Sequence, residues 1–247
     1  LNRRMNETLE RIGRALFKSW FVDFDPVKAK AEDRDPKLPA EIADLFPDSL
    51  EESKLGLIPK GWKVGCFADV AMNPRRTVKP NEVPGETPYI GLQDMPRNQI
   101  ALDTWGKAED VGSGKFGFKK GEILFGKLRP YFHKVGVAPV DGVCSTDILV
   151  VDSKKELWFA YVLGHVSSKE FIDYTTAAST GTRMPRTNWK DMSKFSIVIP
   201  AEEIAEAFNV YVCSNISTIQ KNIWANLNLA NLRDTLLPKL ICGEISV

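Results

Sequence analysis

The sequence predicts an α+β protein, a mixed α/β globular domain flanked by long helices that pack as an antiparallel coiled-coil-like pair. Three observations carry this. Residues 62–152 hold short apolar runs punctuated by Gly and Pro, the texture of strands joined by turns. Both ends of the chain step their apolar residues by three and four, the helical period. The two ends also resemble each other at a fixed offset, with Asn2, Asn6, Leu9 and Leu16 matching Asn222, Asn226, Leu229 and Leu236.

Residues 1–20 read as the first helix, because Met5, Leu9, Ile12, Leu16 and Trp20 fall on one stripe with charges between them. Only Leu1 precedes the repeated Asn2, whereas about twenty residues of the last helix precede Asn222. The first helix is therefore expected to lack its upstream stretch, and Leu1 to lie inside a longer or processed chain. Residues 23–54 form an acidic connector: Pro26, Pro36, Pro39 and Pro47 break any long element, leaving room for a short helix at 39–46.

Residues 55–200 form the globular domain, a common domain size. Candidate strands are 88–92, 122–126, 134–138, 147–152 and 195–199, with one or two helices over 156–173. Residues 201–247 carry the longest periodic stretch: Ile204, Phe208, Val212, Ile216, Ile219, Ile223 and Leu227, continued by Leu229, Leu232, Leu236 and Leu240. A helix over 202–237 would be roughly 50 Å long and needs a partner helix.

The net charge of +1 hides a segregation. Residues 23–53 carry ten acids and four bases, and residues 55–200 carry 20 bases and 15 acids. Within the globular domain the bases cluster at Arg75, Arg76 and Lys79, at 119–134, and at Arg183, Arg186, Lys190 and Lys194. Three basic clusters beside aromatic and amide side chains form an electrostatic footprint for a polyanion. Four scattered cysteines without C-x-x-C read as reduced thiols of a cytoplasmic protein. No apolar run reaches the roughly 18 residues of a membrane span.

No catalytic set stands out. Gly112, Gly114 and Gly117 fit G-x-G-x-x-G but precede a basic strand-like run, not a helix. Gly121–Lys127 fits part of a phosphate-binding loop, but Leu128 replaces its Ser or Thr. Pro47–Asp48 with Glu52-x-Lys54 is too tightly spaced for a metal nuclease. Asn73–Pro74 leads into Arg75–Arg76, not the proline and aromatic of an amino-methyltransferase. His133 and His165 have no partner at metal-ligand spacing. No metal site and no catalytic residue is assigned.

The run NRRMNETLERIGRALFKSWFVDFDPV (2–27) resembles the central conserved region of type I restriction–modification specificity subunits. GEILFGKLRPYFHKVGVAP (121–139), CSTDILVV (144–151) and STGTRMPRTNW (179–189) are similar to the body of their target recognition domain, which LGLIPKGWKV (55–64) enters. NLRDTLLPKLICGEISV (231–247) is similar to their C-terminal end. One departure is Pro200-Ala201-Glu202-Glu203-Ile204, where the family often has P-P-x-x-E-Q.

The resemblance implies a non-catalytic subunit that reads one half of a gapped double-stranded DNA target. It implies docking of modification (methyltransferase) and restriction subunits, or of a second copy. S-adenosylmethionine, ATP and Mg are then expected on the partner subunits, with no cofactor on this chain and no membrane contact.

The basic and amide clusters supply the candidate DNA contacts. They are Arg75, Arg76, Lys79, Gln93, Arg97, Asn98, Lys127, Arg129, Tyr131, His133, Lys134, Thr182, Arg183, Arg186 and Asn188. Arg pairs bidentately with guanine, and Asn or Gln with adenine. The candidate subunit interface is Leu9, Ile12, Leu16, Phe208, Val212, Ile216, Ile219 and Ile223, with Phe208 to Ile219 expected to stay uncovered. The alternatives are a coiled-coil scaffold whose globular domain binds protein, and an enzyme that cleaves or methylates DNA alone.

Overall fold

A computed structural model describes residues 1–109, 113–242 and 244. Gly112 of the glycine motif, and Gly243 and 245–247 of the last run, lie outside the described residues. In chain order the elements begin with α1 (Asn2–Phe21), α2 (Asp25–Ala31), α3 (Ala40–Ala43), β1 (Leu50–Ser53) and β2 (Gly56–Pro59). Next come β3 (Lys63–Cys66), α4 (Phe67–Val70), β4 (Ala71–Met72), β5 (Arg76–Val78), β6 (Pro88–Ile90), β7 (Gly106–Lys107) and β8 (Lys115–Phe118). Then follow β9 (Ile123–Gly126), β10 (Val135–Val137), β11 (Gly142–Cys144) and β12 (Ile148–Ser153). The chain closes with α5 (Phe159–Val166), α6 (Lys169–Ala177), α7 (Trp189–Met192), β13 (Ser196–Ile199) and α8 (Glu202–Ile241).

Two sheets organise the globular domain. One is four-stranded, in the order β10-β9-β12-β4, and antiparallel; the other is five-stranded, in the order β5-β8-β11-β6-β7. In the second sheet β11 pairs parallel with β6 and antiparallel with β8. All four residues of β9 are buried, because that strand is covered on both faces and reads as a continuous apolar run. Ile123 and Phe125 join the helical core, while Leu124 joins Ile90, Phe118 and Cys144 between the sheets. The two-residue pleat explains the split. Burial pushes the Cys144 thiol up to about 12, so it stays a neutral core group.

The chain between α1 and the sheets is more ordered than the connector reading expects. Pro26 sits in the first turn of α2, where its missing N–H costs nothing. Val27 and Phe46 are buried in the main core, Phe46 edge-on to Trp20 at 5.0 Å. The prolines shorten the elements there without loosening them.

α1 and α8 pack antiparallel, and their contact is reciprocal with respect to the sequence repeat. Asn2 Nδ2 donates to Asn226 Oδ1 at 3.0 Å, and Asn222 Nδ2 donates to Asn6 Oδ1 at 2.8 Å. Each asparagine thus meets the repeat equivalent of the other, as a local two-fold axis requires. Beyond the asparagines, Phe17, Trp20 and Phe21 close on Phe208 at centroid distances of 6.1, 5.9 and 5.0 Å. Gly164 of α5 permits this approach: a Cβ there would lie 2.2 Å from the Phe17 ring.

The expected interface needs correction. Phe208, Val212, Ile216, Ile219 and Ile223 are buried within the chain, covered by α1 and α5, and Leu9 and Leu16 pack on the same core. Of that set only Ile12 is substantially exposed, at 41%. Twenty residues of α1 suffice to cover this part of α8, because α5 shares the work. The uncovered stripe lies further on: Leu229, Leu232, Leu236, Leu237, Leu240 and Ile241 are exposed. α8 also runs past the expected end at 237, with Pro238 inside its last turn. There, at an exposed helix end, the loss of one backbone bond is tolerated. The full 40 residues make a rod of about 60 Å.

Candidate nucleic-acid interface

One cation from each basic cluster, Arg75, Lys127 and Lys190, meets at one cleft. The backbone of 127–129 pairs with the returning 180–187 loop: Arg129 N donates to Pro185 O at 2.7 Å and Thr187 N to Lys127 O at 3.0 Å. Lys127 N also donates to Asp147 O at 2.9 Å. These bonds bring Lys127 beside a cleft lined by Asn73, Arg75, Phe116, Asn188, Trp189 and Lys190. Arg75 stands over the Phe116 ring at 5.6 Å. Among the described residues Arg75, Lys127 and Lys190 have no ion-pair partner. Three such cations around an aromatic floor suit a phosphodiester backbone.

Next to the cleft lies a second group. Arg129 and His133 bracket a short 3-10 turn, Pro130–Phe132, and both adopt left-handed backbone angles, with φ of 51° and 52°. Asn98 does the same at φ 57°. Such angles are costly in non-glycine residues and gather at functional sites. The Arg97 guanidinium stacks on Phe132 at 4.0 Å, and exposed Tyr131 meets Phe132 edge-on at 4.9 Å. Burial, with the Arg14 charge, holds the His133 imidazole below its ordinary range. Lys134 donates to Leu92 O, and burial with the Arg97 charge lowers its ammonium pKa.

Several candidates are otherwise engaged. Arg76 turns inward: its two terminal nitrogens bind buried Glu122 at 2.8 and 2.7 Å, which neutralises a carboxylate that would be costly alone. Arg186 is paired with Asp147 at 3.0 Å. Asn188 caps α7, accepting from Asp191 N at 3.0 Å. Gln93 contacts Asp94 at 3.2 Å, and Lys79 lies 3.8 Å from Glu82. Thr182 and Arg183 sit in the turn after Gly181, whose φ is 98°. Asn73, Trp189 and Lys190 are not among the candidate contacts, although Lys190 belongs to the third basic cluster. For Asn73 and Trp189 the signal in the sequence is only proximity to basic runs, and the cleft exists only once β4, β8 and α7 are assembled.

Comparison with known proteins identifies the architecture. A profile of the type I restriction modification DNA specificity domain matches residues 59–229. The chain belongs to that family.

Among specificity-subunit relatives, those of the HindI enzyme of Haemophilus influenzae and the MjaIX enzyme of Methanocaldococcus jannaschii are 28% and 25% identical. Each covers 99% of this chain, while the chain covers 63% and 55% of their own lengths. The EcoDI specificity subunit of Escherichia coli is 28% identical over 84% of this chain and 47% of its own. The chain therefore spans roughly half to two thirds of these relatives.

The fold recurs in the crystal structure of the type I S subunit from M. genitalium, with TM-score 0.53 and 13% identity. That likeness covers 97% of this chain and 56% of the other. The HsdS subunit from Thermoanaerobacter tengcongensis has the same TM-score at 19% identity, over 76% and 49%. No helix of the described residues is long and apolar enough to cross a membrane.

Proposed function

We propose that this specificity chain is the sequence-reading component of a cytoplasmic type I restriction–modification enzyme. Its globular domain reads one half of a gapped duplex target, with Arg75, Lys127 and Lys190 holding the backbone and the 92–98, 129–134 and 180–186 loops addressing base edges. The chain carries no catalytic step; methyl transfer with S-adenosylmethionine and ATP- and Mg-dependent cleavage belong to the partner subunits. The helices dock those subunits.

The observation that carries this reading is the cleft of cations without ion-pair partners among the described residues, beside strained, arginine- and amide-bearing loops, in a chain of this family. Phosphate contacts position such a protein, and base contacts specify the sequence.

The helical partner is assigned from the repeat. Exposed Leu229, Leu232, Leu236 and Leu240 are the equivalents of Leu9, Ile12, Leu16 and Trp20. Within the chain Leu9, Leu16 and Trp20 of that set pack on the core that holds Phe208 to Ile219. A helix with a similar apolar stripe, from a longer chain or a second copy, covers it.

Salt-dependent selection of duplex DNA by the purified chain tests the proposal. A recurring motif, with affinity falling steeply as salt rises, is expected. Binding without a motif or a salt slope would favour the protein-binding scaffold instead.

A further inference from the structure

Helix α1 touches the recognition domain through a polar face that its apolar stripe does not explain. The Glu10 side chain is only 4% exposed. Its carboxylate accepts from Ile100 N at 3.0 Å and Ala101 N at 3.1 Å. Arg14 donates to Asn98 O at 2.6 Å and lies 3.4 Å from Glu10. The 98–101 strip meets the end of β10 at a single parallel bridge: Val137 N donates to Ile100 O at 3.0 Å, and Ala101 bridges Val137. The successive amides of Ile100 and Ala101 both turn to the Glu10 carboxylate, which holds this irregular backbone in place.

The strip is in turn locked to the loop of the candidate interface. Asn98 N donates to His133 O at 3.0 Å, joining two left-handed residues. One residue earlier, Arg97 stacks on Phe132. A continuous path of short contacts therefore runs from α1 through 97–101 to 129–134. A buried carboxylate is costly unless its hydrogen bonds are made; here burial raises the Glu10 pKa against the pull of the Ile100 and Ala101 amides and of Arg14. An apolar residue would hold α1 to the domain more simply, but it would not set the strip's register.

We propose that Glu10 and Arg14 are positioning residues for DNA reading, setting the 129–134 loop from α1 through the 98–101 strip. The proposal rests on the DNA-reading function above. It also gives α1 a second task, since a helix that docks partner subunits would then be mechanically continuous with the loop that discriminates bases.

The test uses the full chain and two duplexes, the motif recovered by selection and a shuffled duplex of the same composition. The ratio of their affinities and the salt slope are measured for the parent, Arg14→Ala, Arg14→Lys, Glu10→Ala, Glu10→Gln and Arg3→Ala. Arg14→Ala should lower the ratio about tenfold, the scale of one lost base contact, with the salt slope unchanged. Arg14→Lys, which still donates to Asn98 O, should recover most of it. Glu10→Gln, which keeps an acceptor, should exceed Glu10→Ala. Arg3→Ala, which removes only the exposed contact with Asp103 at 3.5 Å, should match the parent.

Because Glu10→Ala can unfold the domain, the half-exposed Arg14 decides the matter. A selective parent with an unchanged ratio in Arg14→Ala overturns the positioning role alone. So does a salt slope reduced by about one contact, which would make Arg14 a phosphate ligand. A parent without selectivity overturns the DNA reading and this proposal together.

Discussion

Lys127, just after β9, and Lys190, in α7, approach one cleft from positions 63 apart, and neither has an ion-pair partner among the described residues. If they bind phosphate, Lys127→Ala with Lys190→Ala should flatten the log–log salt dependence of DNA affinity by about 0.9 per lost contact. A parental slope would place the backbone elsewhere. Arg76→Ala should act differently, because it leaves buried Glu122 without its guanidinium: stability should fall while the slope holds.

His165 belongs to the core, ringed by Phe17, Tyr161, Phe67 and Phe195 at 4.6–6.4 Å. Burial lowers its pKa from 6.5 to about 3. The unfolded chain takes up this proton below about 6.5 and the folded chain does not, so stability is lost as pH falls from there toward 3. His165→Phe should flatten melting temperature against pH across that window. An unchanged acid limb would mean other groups control it.

At the scale of elements, residue periodicity revealed the two end helices, β9 and β12, because their apolar residues face continuous cores. It missed α2 and the β1–β2 hairpin, where prolines suggested irregular chain but Pro26 starts a helix. Which part of α8 is covered was not legible, since α5 occupies the Phe208–Ile219 region through contacts no local pattern encodes. Ile216→Asp with Ile219→Asp should therefore unfold the domain, burying charge where each side chain contributes roughly 1.5–3 kcal/mol.

Leu232→Asp with Leu236→Asp should leave the melting temperature near the parent's and abolish association by light scattering. Retained association would place the partner on another face. Gly164→Ala should destabilise by about 1–3 kcal/mol in denaturant titration, because the added methyl overlaps the Phe17 ring.

At the scale of the whole molecule, the fold follows from two separable features: a sheet pair that presents loops, and helices that continue beyond the globular domain. Charge segregation and the end-to-end repeat were both visible in the sequence, and the crossed Asn2–Asn226 and Asn6–Asn222 pairs show the repeat to be geometric. The cleft itself was only partly visible, because Asn73, Lys127 and Lys190 come from segments that only strand pairing brings together.

If, as proposed, this chain decides which DNA sequence a type I enzyme modifies, the set of methylated motifs in the source genome should depend on its gene. Mapping those motifs with and without the gene should show one gapped motif that loses methylation on deletion and regains it when the gene is restored; an unchanged set would rule the proposal out.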